Sequence, residues 1–225
     1  MANVAQTKSI APASRLHAAI LGATLTVLGL VGGLLLNFRV GSLVSEGLEG
    51  RVPSQYVIPL TAIVSSIVML GGSALWGIGM AHLARVAASW RVVLAATLGF
   101  VPITILVAFG LRAVEPLLDA IDLPIHRLFT LLFVPSAFLI AGTSSLALAW
   151  ALGWGRAAPA LALRVGLTAA LAFLVVSLGM EALGWQVGGP GAAERTTMLT
   201  VLFVSNVGAA LAGGAMLGMA LAHQP

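Results

Sequence analysis

The sequence predicts an all-α integral membrane protein of six transmembrane helices, arranged as three tandem helical hairpins about a pseudo-threefold axis. Three observations predict it. First, 60% of the 225 residues are hydrophobic and 8% are charged, with a mean hydropathy of +1.07. Soluble domains carry about 25% charged residues, so a chain this apolar needs the bilayer as its solvent. Second, the apolar residues fall into six runs, at about 16–36, 57–83, 92–111, 128–153, 163–183 and 198–222. Each is near the roughly 20 residues that a helix needs to cross the hydrocarbon core. Third, the uncharged run at 130–149 has an echo about seventy residues away on either side. Gly142-Thr143-Ser144-Ser145-Leu146 stands in register between Gly71-Gly72-Ser73-Ala74-Leu75 and the small residues around Gly213-Gly214-Ala215-Met216.

The first run follows a polar segment, residues 1–15, whose charges are Lys8 and Arg15. At about 20 residues it exceeds the 7–15 of a signal-peptide core, which predicts an uncleaved first helix. Backbone polar groups in lipid must bond internally, and these runs are too long and too continuous for barrel strands, so all six are helices. Arg15, Arg91 and Arg164 each stand just before an odd-numbered helix, which gives the proposed hairpins a common beginning. The domain is thus 16–225, with hairpins at about 16–83, 91–154 and 163–223. Three such hairpins match the architecture of the mitochondrial carriers, but the Pro-x-acid-x-x-base signature of those proteins is absent from every odd helix here.

The connections set the orientation. With the N-terminus inside, the inner side holds Lys8, Arg15, Arg85, Arg91, Arg156 and Arg164 and no acid. The outer side holds five arginines and every Asp and Glu. The two inner connections, 84–91 and 154–163, are short and purely basic, which favours N-in and C-in. Trp90, Trp150 and Trp154 then lie near the inner interface, and Tyr56 and Trp185 near the outer one. The outer connections are longer than the inner ones, beginning with 37–55. In the next, Glu115, Asp119 and Asp122 share one helical face, which predicts a short amphipathic helix on the outer surface. The third, 186–195, is glycine-rich and reads as a flexible loop. The expected location is the cytoplasmic membrane of a prokaryote.

Small and hydroxyl-bearing residues are the candidates for contact and function. Gly29 and Gly33 form a GxxxG in the first helix; Ala137 and Ala141 begin a small-residue stripe in the fourth; Gly214 and Gly218 belong to one in the sixth. Small residues four apart let helix backbones approach, so these positions pack either within the chain, at a seam between copies, or along a narrow pore. Ser66, Ser144, Ser145 and Asn206 lie in the even helices. They either bond to their own backbone or line a polar path for an uncharged solute. Asn206 is the costliest of them to bury without a partner, so it marks an interhelical contact.

Charge is missing from the middle of every run, which argues against a carboxylate proton relay and a voltage sensor. With no cysteine, thiolate catalysis and cysteine-ligated metals are excluded. The histidines His17, His82, His126 and His223 have no ligand spacing, and no GxSxG, HExxH or Walker motif occurs. The scattered arginines form no basic stripe for nucleic acid. The expectation is a protein without catalysis, cofactor or metal. Its partners are the lipid bilayer and either a protein partner or further copies of itself. An accessory or scaffold subunit of a larger membrane assembly ranks first. A small transporter or channel for a neutral or weakly polar solute is the alternative.

Overall fold

Helices dominate the described residues because the apolar runs are rich in Leu, Ala, Val and Ile; glycines, and Pro135 in the fourth span, fall inside them as well. A computed structural model describes residues 15–86, 89–118, 125–185 and 192–222. They contain six helices long and apolar enough to cross a membrane. The first is compound. Helix α1 (Arg15–Thr26) passes through a π-helical turn (Val27–Val31) into α2 (Gly32–Leu48) without a break. The others are α3 (Ser54–Leu83), α4 (Trp90–Leu118), α5 (Ile125–Ala151), α6 (Ala158–Ala182) and α7 (Ala192–Ala222).

Three connections differ from expectation. The connection expected at 37–55 is helical to Leu48, which gives the first span 34 residues. Its length of about 51 Å exceeds a hydrocarbon core of about 30 Å. Polar residues do not end the helix because they bond along it: Ser42 Oγ donates to Glu46 Oε1 at 2.7 Å. The turn waits for Gly50, at φ 75°, and Pro53. Likewise Ala113–Leu118 continue α4 rather than start a separate surface helix; residues 119–124, with Asp119 and Asp122, lie outside the described residues. The third connection is also shorter than expected, since α7 begins at Ala192, and 186–191 lie outside the described residues.

The joints at the other end are tight. Gly153, at φ 86°, ends α5: its N–H donates to Trp150 O, and the Trp154 N–H reaches back to Ala149 O. This is the left-handed stop that glycine favours. Arg85, at φ 58°, occupies the same position after α3, with Val86 N–H on Ala81 O. A single 3-10 turn, Gly155–Ala157, then leads into α6, which begins five residues before the predicted span.

The helices form a closed ring in chain order. Each span packs on the next, and α7 returns to pack on α1. Both ends of the described chain therefore emerge side by side.

The core holds large apolar side chains such as Phe173, Met80 and Leu148 together with many small ones, while the outer faces are apolar as well. Ala18, Ala96, Ala149, Ser73, Ser144, Ser145 and Ser205 are buried, while Leu28, Leu75 and Val175 are about two-thirds exposed. Small residues inside let the helices approach closely. At each contact within a hairpin, a glycine sets the distance. Gly29 lies against Gly72 and Trp76. Gly99 lies against Thr143, Ser144 and Ala147, and Gly213 against Ala169. The ring closes where Gly22 meets Gly214 and Gly218.

Candidate functional site

Midway along the spans the ring lines a half-open cavity of about 110 Å³. All six spans border it. Its extent follows from α7, which contributes wall residues from Asn206 to Leu217. That stretch of helix is about 16 Å long. Most of the wall is apolar: Leu30, Val31 and Leu34 from the first span, Phe100 from α4, Ile140 from α5 and Val165 from α6. No charged side chain is among the described residues that line it.

The polar groups on the wall are Thr26, Trp76, Thr104, Ser144 and Asn206. Their hydrogens are largely committed. Thr26 Oγ1 donates to Gly22 O at 2.8 Å and accepts from Trp76 Nε1 at 3.1 Å. Trp76 is 2% exposed, so this bond answers the demand that a buried indole N–H find an acceptor. Thr104 donates to Phe100 O at 2.8 Å. Ser144 donates to Ile140 O at 2.6 Å and lies 3.2 Å from Gly99 O across the hairpin. Hydroxyls spent in this way on helix carbonyls offer the cavity mainly their remaining lone pairs.

Asn206 differs. Its Nδ2 donates to Leu202 O at 2.8 Å, one turn back in the same helix. Its Oδ1 has no hydrogen-bond partner among the described residues. The side chain is half-buried and borders the cavity. Beyond this bond the carboxamide keeps an acceptor and a second N–H, on a residue that borders the cavity. Asn206, expected at an interhelical contact, bonds to Leu202 O within its own helix and borders the cavity that the six spans share.

The remaining candidates divide by place. Ser144 borders the cavity, whereas Ser145 is fully buried and donates to Ala141 O and, at 3.3 Å, to Gly142 O. Ser66 is half-buried and is not among the residues that border the cavity. Ala137 and Ala141 form part of the cavity wall. Gly29 and Gly33 pack on Gly72 of α3, and Gly218 packs on Ala18 and Gly22 of α1. Gly214 does both, touching Thr26 and Gly22 while bordering the void.

Thr26, Trp76, Thr104 and Phe100 border the cavity without standing among the candidates that the sequence offers. Trp76 carried a usable signal: it sits inside an apolar run, where an indole N–H needs a partner, rather than at an end, where the interface supplies one. The acidic face built on Glu115 falls where side chains are not described, and among the described residues no three His, Asp or Glu converge to hold a metal ion. Comparisons with protein-family models, with curated proteins and with solved structures find no match.

Proposed function

We propose that this chain is a small multi-pass membrane transporter or channel that accommodates a neutral solute at its centre. The cavity that all six spans share carries this reading. It is midway along the spans, as transporter substrate sites are, and its described lining residues carry none of the charge that an ionic substrate requires. The apolar outer faces, with Leu28, Leu75 and Val175 exposed, and the small residues between the helices support a lipid environment. The chain inserts with both ends on the cytoplasmic side, on the strength of its two short basic joints.

The three hairpins are one repeated unit. Their internal contacts fall at Gly29 with Gly72, Gly99 with Thr143, and Ala169 with Gly213. Within each helix series these positions recur at intervals of about seventy residues, which is the spacing of the sequence echoes. A threefold unit around a central void is an economical way to build a path through a ring.

The accessory-subunit reading loses its first place because the glycine seams at Gly29, Gly33, Gly214 and Gly218 are occupied within the chain. It keeps one support: Gly71 and Gly179 face open space, where a helix of another protein can seat.

A cysteine-accessibility scan tests the choice, since the chain has no native cysteine. Ser144→Cys and Asn206→Cys are compared with the outward-facing Leu75→Cys and Leu171→Cys. Labelling of the first pair by a small, membrane-impermeant thiol reagent, with the second pair protected, is the expected result. Protection of all four means a dry bundle, which removes transport and leaves native co-purification of a partner as the next step.

A further inference from the structure

The chemistry of the wall narrows the solute further, an inference that rests on the cavity being its site. This half-open cavity of about 110 Å³ is smaller than the roughly 150 Å³ apolar cavity that takes up benzene. Here it borders about 16 Å of α7, so it is narrow rather than round. A slender, unbranched body fits such a space and a fused ring system does not. The wall facing that body is Leu30, Val31, Val165 and Leu217.

One end of the α7 wall is Asn206, whose Oδ1 and second N–H are uncommitted. A carboxamide with a free acceptor and a free donor matches a hydroxyl, a carbonyl or another amide. It does not compensate a full charge, and no charged side chain is among the described lining residues that could. Leaving the amide unpaired beside an apolar ligand wastes its hydrogen-bonding capacity in a low-dielectric setting. We infer that the cavity selects a neutral amphipathic molecule: a single unbranched alkyl or alkenyl chain of medium length carrying one uncharged polar group, with Asn206 as the residue that reads that group.

Photolabelling tests this on the full chain reconstituted in lipid nanodiscs. The probe is an octanol bearing a diazirine on its chain, and adducts are mapped by mass spectrometry. Adducts are expected on the cavity-facing residues of α7, and 1-octanol should displace the probe about tenfold better than octane or octanoate at neutral pH. Asn206→Leu should retain the adducts but lose the preference for octanol over octane. Ala210→Leu, one turn from Asn206 on the same wall, narrows the void and should abolish the adducts altogether, whereas Asn206→Leu only loses the preference.

Equal displacement by octane and octanol, or by octanoate and octanol, overturns the inference. So does an unlabelled cavity with adducts confined to outward residues such as Leu75. If the cavity stays unlabelled while Ser144→Cys reacts with the aqueous thiol reagent, the ligand class is wrong and the solute path stands. If neither reacts, both readings fall.

Discussion

At Gly218 an added Cβ would come within 2.8 Å of Gly22 Cα and against Ala18 O, both backbone atoms. A rotamer change cannot relieve that contact, so α1 and α7 must separate. Gly218→Val is therefore expected to destabilise the fold by about 2–4 kcal/mol, at or above the usual range for overpacking. Gly71→Val is the control: nothing lies within 4 Å of its added Cβ, and the change should stay within about 0.5 kcal/mol. Unfolding in mixed micelles with increasing denaturing detergent compares the two. A similar loss in both would mean that helix propensity, not close approach, sets the cost. The sequence made Gly218 legible as a packing position because small residues recur at four-residue spacing. It did not make its neighbour legible, since the same spacing serves a seam inside the chain or between copies. Asn206 was legible as a costly polar group, but its role depends on which way α7 is turned, and an almost uniformly apolar helix carries little information about rotation.

The first span shows the same limit at the scale of one element. Its apolar run was plain in the sequence, while the π-helical turn within it was not, because nothing in Val27–Val31 marks a widened turn. The turn has a consequence. Seven residues separate Gly22 from Gly29, which places them within about 20° on a regular α-helix. In the molecule Gly22 faces α7 and Gly29 faces α3. The Gly32 N–H donates to Val27 O, five residues back, so the turn holds one residue more than an α-helix would. Removing Leu28, which is 69% exposed, should convert the turn to regular helix and leave the two glycines six apart. They would then lie about 120° apart and still face two neighbours. Deleting Leu28 is thus expected to preserve the fold, whereas deleting Leu21 should turn everything after it by about 100° relative to α7 and give misfolded protein. Size-exclusion profiles and melting temperatures of the two deletions decide the point, and equal damage from both would rule out the extra-residue account. Because Thr26, Leu30 and Val31 line the cavity around this turn, the Leu28 deletion should also weaken probe labelling more than it lowers stability.

For the whole molecule, the six spans were legible because each apolar run matches the thickness of a bilayer, and their ring order was not, because hydropathy does not say which helix lies beside which. The ring bears on the repeat. If the hairpin is the building unit, a chain cut between hairpins keeps three intact units, and a chain cut inside one separates two helices that pack first. The contact of Ala18 with Gly218 puts the two ends close enough for a short linker from Ala222 to Arg15. A permutant opened between Gly153 and Gly155, after the second hairpin, retains the seams Gly29 with Gly72, Gly99 with Thr143 and Ala169 with Gly213 as sequence-local contacts. One opened at Gly50, inside the first hairpin, makes Gly29 and Gly72 meet from opposite ends of the chain. Local contacts form before distant ones because their loop-closure cost is lower. The first permutant is expected to express as monodisperse protein with a melting temperature near that of the parent. The second should express several-fold less. Equal yields from both would show that the closed ring alone governs folding, and the hairpin would then be a feature of the sequence rather than a unit of the protein.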